Sequence, residues 1–159
     1  VNSGVGGNTT GQGLERFESD VAAHRPNLVL VEFGYNDCHI VEGTEPRTSE
    51  TRFRLNQRRI GARIREQIGA TPVFIANHPT LLFDVKTNGR TYEANSIVYN
   101  AITREVAREL NAPLLDMHVR FGRRGTPLSD LLDADGIHLN VCGEAEYAAH
   151  VGDFLSTML

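Results

Sequence analysis

The 159-residue chain has no tryptophan, two methionines, two cysteines and a single lysine, Lys86. Two thiols, Cys38 and Cys142, are too few for a disulfide framework, and their separation fits no zinc-ligand spacing. One bridge between them stays open. There is no basic surplus: the net charge is −4, whereas a nucleic-acid binder normally carries a positive balance. No apolar run approaches the ~20 residues of a membrane-spanning helix. No secretory or transit segment is visible in these residues, and the compartment is left open. The other basic residues are all arginine, which we read as genome composition rather than function. What remains is an ordinary globular balance, 40% hydrophobic and 23% charged, in a length that suits one domain with a sizeable core.

Hydrophobic periodicity divides the chain into alternating elements. Leu14, Phe17 and Val21 recur at helical spacing and predict a helix over Leu14–His24, broken by Pro26 and Asn27. The runs "NLVLVEF" (Asn27–Phe33), "TPVFIAN" (Thr71–Asn77) and "APLLDM" (Ala112–Met117) read as strands buried on both faces. Helices are expected over Glu50–Ile68, Glu93–Leu110 and Gly143–Leu159. The arginines of the first of these suit a solvated face better than a phosphate patch, with Glu66 interleaved. "GYND" (Gly34–Asp37) reads as a turn, and Phe121–Thr126 as a mobile Arg/Gly-rich loop. Strands alternating with helices imply parallel pairing and a three-layer α/β/α sandwich. Three strands leave one sheet edge uncovered. A missing N-terminal piece is therefore expected, with Val1-Asn2 ending an earlier strand of the same single domain.

In open α/β sheets ligands bind beyond the carboxyl ends of the strands. Three stretches qualify. "DGIH" puts Asp135 three residues before His138, close enough for a carboxylate to fix the imidazole tautomer and make a general base. Taken alone, the stretch reads more readily as a turn-capping aspartate beside a surface histidine. A calcium loop centred on Gly136 fails, because Leu131 and Cys142 would occupy its first and last ligand positions. In "GYND", Asn36 can aim an amide at an oxyanion or simply form a turn. The opening "VNSGVGGNTTGQG" holds five glycines and no lysine, which excludes the P-loop ending but leaves phosphate or oxyanion binding open. Asp116 and His118 form a rival acid–base pair at another strand end. His78 lines the same rim, and His24, His39 and His150 read as ordinary surface or helix residues.

In this order, "NSGVGGNTT", "GYND" and "DGIHLN" resemble the three later blocks of the SGNH hydrolases, the GDSL esterase/lipase family, over essentially the whole chain. The resemblance implies a flavodoxin-like fold, serine-based hydrolysis of a small ester, and no metal or organic cofactor. It places an oxyanion glycine on Gly7, the oxyanion asparagine on Asn36, the general base on His138 and its aspartate on Asp135. The family's Gly-Asp-Ser block is missing. Ser3 stands near a site loop without the context of a nucleophile turn. The nucleophile is therefore expected upstream of Val1, on a first strand outside this sequence. These 159 residues alone should have little esterase activity and fold poorly. Short acyl groups, including acetyl groups on sugars, are the expected substrates, with Ile40–Glu50 and Leu81–Tyr92 shaping the pocket. The rival readings are a binding module that has lost its nucleophile and a nucleotide-binding protein; oligomeric state is not legible.

Overall fold

The three apolar runs form one parallel sheet. The computed structural model describes residues 1–123 and 125–158. In chain order the elements are α1 (Thr10–Glu15), α2 (Phe17–Asp20), β1 (Leu28–Glu32), α3 (Tyr35–Cys38), α4 (Glu50–Ala62), β2 (Thr71–Ala76), α5 (Tyr92–Glu109), β3 (Leu114–Asp116), α6 (Met117–Gly122) and α7 (Val141–Ser156). The strands lie in the order β1-β2-β3. Leu28 to Glu32 register against Thr71 to Ile75, and Phe74 to Ala76 against Leu114 to Asp116. Parallel neighbours need crossovers, which α4 and α5 supply.

Alternation along β2 builds the layers, since successive strand side chains point to opposite faces. Phe74 packs with Phe53 and Ile60 of α4 and Val106 of α5. Its neighbour Ile75 packs on the other face with Leu115 and Phe121, against Tyr147, Val151 and Phe154 of α7. Phe53, Phe74 and Val106 are completely buried, a burial that contributes about 1.5–3 kcal/mol per side chain.

The far side of β1 is different. Among the described residues its outer edge pairs with no strand. Leu30 is 40% exposed, while Val73, its partner across the register, is fully buried. A trough of about 1590 Å³ runs between β1 and the segment Val1–Gly7. That segment is held on α1 and α2 instead: the Ser3 hydroxyl donates to the Asp20 carbonyl at 2.5 Å, and Arg16 donates to the Ser3 carbonyl at 2.7 Å.

Several element boundaries differ from expectation. The first helix begins earlier, at Thr10, and breaks at Arg16. "GYND" is a short helical turn, α3, rather than a plain turn. Phe121 and Gly122 close helix α6 instead of opening a loop, because Asp116 caps it at the Val119 N–H and Met117 and Phe121 are both buried; Arg124 lies outside the described residues. Asn140 starts α7 two residues before Gly143 by accepting from the Cys142 and Gly143 N–H groups; Leu159 also lies outside the description. On α4, Arg54 pairs with Glu105, and Arg58 with Glu109, both on α5. Arg63 pairs with Glu18 and lies over the Phe17 ring. This face is thus ion-paired rather than only solvated.

Candidate active site

The parallel register brings the carboxyl ends of all three strands to one rim. Beyond β1 the chain turns at Gly34, whose φ is +133° and where a Cβ would sit 2.8 Å from the Asn77 amide nitrogen. Only glycine fits that turn. It lets Asn77, at the end of β2, donate to the Phe33 carbonyl at 2.9 Å. Asn77 is itself held by Asn100, which accepts from its N–H at 2.8 Å and donates to its carbonyl at 2.9 Å.

α3 then carries Tyr35, Asn36 and Asp37 in three directions. Tyr35 donates to the His78 carbonyl at 2.5 Å. Asn36 is half-buried and lines the trough, and its amide has no hydrogen bond among the described residues. Asp37 is fully buried and accepts from the Thr10 hydroxyl at 2.6 Å and the Thr10 N–H at 3.0 Å. Burial pushes its carboxyl above the usual carboxylate range, against the hydrogen bonds from Thr10. Asp37 thereby clamps the Asn36 turn to the end of the glycine loop. Asp37→Ala leaves the buried Thr10 N–H and hydroxyl without their acceptor and should cost about 1–3 kcal/mol. Asp37→Asn keeps an acceptor oxygen. A raised folded pKa means that the carboxylate's charge costs stability as pH rises, so the Asn variant should gain on wild type toward neutral pH. Urea unfolding of the three proteins at two pH values reads both effects.

The loop before α7 carries Asp135 and His138. Asp135 accepts from the Ile137 and His138 N–H groups, each at 3.0 Å, through one carboxylate oxygen. The other oxygen meets His138 Nδ1 at 2.5 Å. The hydrogen bond from the imidazole, with the two backbone donors, brings the Asp135 pKa down to about 2. His138 Nε2 has no partner among the described residues, and the ring lines the trough with Asn36 and Gly7. The loop is fixed at its base: Leu81 N–H donates to the Gly136 carbonyl and Asp133 N–H to the His138 carbonyl, both at 2.8 Å.

Gly7 lies in a turn closed by Asn8 N–H on the Val5 carbonyl. Its carbonyl accepts from Arg47 at 3.0 Å, and its N–H is without an acceptor among the described residues. The glycine loop does not present α1 to a phosphate. The Thr10 amide at that helix start is already taken by Asp37.

The GDSL-like Lipase/Acylhydrolase family matches residues 1–145. The chain belongs to that family. It is similar to the Bacillus subtilis lipoprotein YqeF, 32% identical over 90% of this chain and 68% of the relative. It is also similar to the Escherichia coli thioesterase 1/protease 1/lysophospholipase L1, 29% identical over 88% of this chain. The chain spans 59% of that enzyme's length, less than two thirds. Among solved structures it resembles an acetylxylan esterase from Geobacillus stearothermophilus, with a TM-score of 0.78, 19% identity, and coverage of 97% of this chain and 70% of the other. A lipase/acylhydrolase from Enterococcus faecalis superposes with a TM-score of 0.73 and 23% identity, covering 91% and 69%. These likenesses give the α/β fold with its parallel sheet.

Within this GDSL-family fold the rival pair comes apart. Asp116 faces Arg104, which donates to it at 2.7 and 3.0 Å. Burial alone would raise the Asp116 pKa; Arg104 and the Val119 N–H outweigh it and hold it below the usual range. His118 instead meets Glu93 at 3.1 Å. None of the six serines bonds to His138: Ser3, Ser19 and Ser156 donate to backbone carbonyls, Ser49 caps α4, Ser129 bonds to Asp130 and Ser96 is buried in α5. Cys38 is buried and Cys142 exposed, and both are free thiols. His39 is exposed at the surface, as expected, but not idle there. It packs edge-on against Tyr92 and lines the trough near Lys86. Burial, then Lys86 and Arg47, hold its pKa below the ordinary value. Its reach toward the pocket depends on the loops at 40–50 and 81–92, which the Thr87–Gly43 hydrogen bond joins, and no sequence pattern marks that contact. His150 of α7 lies against Phe121 and pairs with Glu146.

Proposed function

We propose that the protein is a serine ester hydrolase for short-acyl carboxylic esters, working through a Ser-His-Asp triad whose serine lies outside these 159 residues. One observation carries the reading: an Asp135-bound His138 lines the same trough as Asn36 and Gly7, and its Nε2, the Asn36 amide and the Gly7 N–H are all unpaired among the described residues. The serine oxygen bonds to the acyl carbon while its proton passes to His138 Nε2. Asp135 holds the tautomer and stabilises the charged ring. Asn36 and Gly7 donate to the oxyanion. Collapse of the intermediate breaks the bond to the alcohol oxygen, which takes the proton from His138, and water repeats the sequence on the acyl-serine.

The trough supports a serine arriving on a strand. It borders the unpaired edge of β1 and opens at the rim where Gly7, Asn36 and His138 meet. A parallel strand of six residues, about 20 Å long, would pair with β1 and deliver its next residue to that rim. The residues 1–159 then form one domain together with that strand. The absence of a serine on His138 favours a second reading, a binding module without a nucleophile. The two part on one experiment. The full-length protein should hydrolyse p-nitrophenyl acetate and be labelled once, on serine, by a fluorophosphonate. A folded protein that does neither is a binding module.

A further inference from the structure

The second ring nitrogen of His78 has no hydrogen-bond partner among the described residues, and the ring that carries it lines the trough. His78 follows β2 directly and is only 5% exposed. Its ring meets Tyr35 edge-on at 5.4 Å and Phe121 at 5.5 Å. Nδ1 lies 2.9 Å from the Pro79 carbonyl oxygen. A carbonyl lone pair can be met only by an N–H, so the proton sits on Nδ1 and Nε2 carries the lone pair. Burial disfavours the charged ring, with His138 and His118 adding to that effect against Pro79 and Glu93. Nε2 has no partner among the described residues, and the ring lines the trough with Asn36 and His138. Among the described residues, Pro79 takes Nδ1 and Tyr35 and Phe121 pack against the ring. The ring is pinned, neutral and of fixed tautomer, with one lone pair left for a ligand.

We propose that His78 is a specificity-determining residue whose Nε2 accepts a hydrogen bond from a free hydroxyl on the alcohol part of the substrate, so that the preferred substrates are monoesters of diols and polyols. The inference rests on the ester-hydrolase reading. His138 must meet the ester oxygen that leaves, and His78 lines the same trough. A hydroxyl on the alcohol part of the substrate can then meet His78 Nε2 across that trough. A methyl group in the same place would leave the acceptor dry and unpaired, the arrangement by which a polar site rejects an apolar analogue.

The test compares 2-hydroxyethyl acetate with propyl acetate, which differ by hydroxyl against methyl, using full-length protein. Wild type should favour the hydroxylated ester by roughly five- to tenfold in kcat/KM, the worth of one neutral hydrogen bond. His78→Phe keeps the ring contacts without the acceptor and should abolish the preference. His78→Gln offers an amide oxygen and should restore part of it. Thermal melts accompany each variant, and His78→Leu carries the same comparison if the Phe variant does not fold. Equal rates in wild type, or a preference that survives in folded His78→Phe, overturn the assignment while the hydrolase reading stands. Cleavage of neither ester by wild type overturns both.

Discussion

Replacing His138 by alanine should lower kcat on the order of 10⁴–10⁶-fold, while His118→Ala leaves hydrolysis largely intact. The two histidines are separated by what they face, not by residue type. His138 receives Asp135 on one nitrogen and offers the other to the trough. Without it the serine has no acceptor for its proton and the alcohol no donor, so both halves of the reaction fail together. His118 meets Glu93, whose other oxygen accepts from the Thr80 N–H at 2.7 Å and the Thr80 hydroxyl at 2.9 Å. It braces the start of α5, and its loss should appear in the melting temperature rather than in turnover. The pH profile adds a second readout. Asp135 is depressed to about 2, so its carboxylate is ionised throughout the working range and is lost only as pH falls through that value. The acid limb of kcat/KM then does not report protonation of the aspartate. A large loss in His118→Ala with a small one in His138→Ala would reverse the assignment.

The sequence carries the sheet plainly and the site only in part. Strands β1 and β2 are legible because apolar β-branched runs need no distant partner to be recognised, although only β2 is buried on both faces and β1 leaves Leu30 exposed. Helix α1 is hidden because Gly11 and Gly13 lower its local propensity. Its reason is tertiary: a Cβ on Gly13 would lie 2.5 Å from the Phe33 ring, so glycine lets the helix settle on the end of β1. The helical form of "GYND" is hidden for a similar reason. Its aspartate is fixed by Thr10, 27 residues away, and Thr10 is in turn held by Asn56 of α4. The Asp135–His138 pair is local and could be read at a spacing of three residues. The Asp116–His118 pair is just as local in sequence, yet Arg104 and Glu93 pull its members apart. Short spacing shows which groups can meet; which of them do is decided by charges on other elements.

Asn36→Ala should lower kcat by about 10²–10³, roughly 3–4 kcal/mol of transition-state stabilisation, with little change in KM. The split follows from when the contact forms. A ground-state carbonyl gains little from the amide, whereas the tetrahedral oxyanion gains a full charge-assisted hydrogen bond. The amide is ready beforehand because its turn is held on every side. Cys38 N–H closes it on the Gly34 carbonyl at 2.8 Å, Tyr35 anchors it to His78, and Asp37 to Thr10. Nothing must reorganise when charge appears. The Asn36 side chain itself makes no hydrogen bond among the described residues, so its removal should leave the melting temperature nearly unchanged. Asn36→Asp is the sharper variant. It keeps the size of the side chain, removes the donor, and sets a carboxylate against the developing oxyanion, so it should fall below the alanine variant in kcat. An aspartate variant as active as wild type would show that the oxyanion forms elsewhere, and Gly7 would lose its partner in the same stroke.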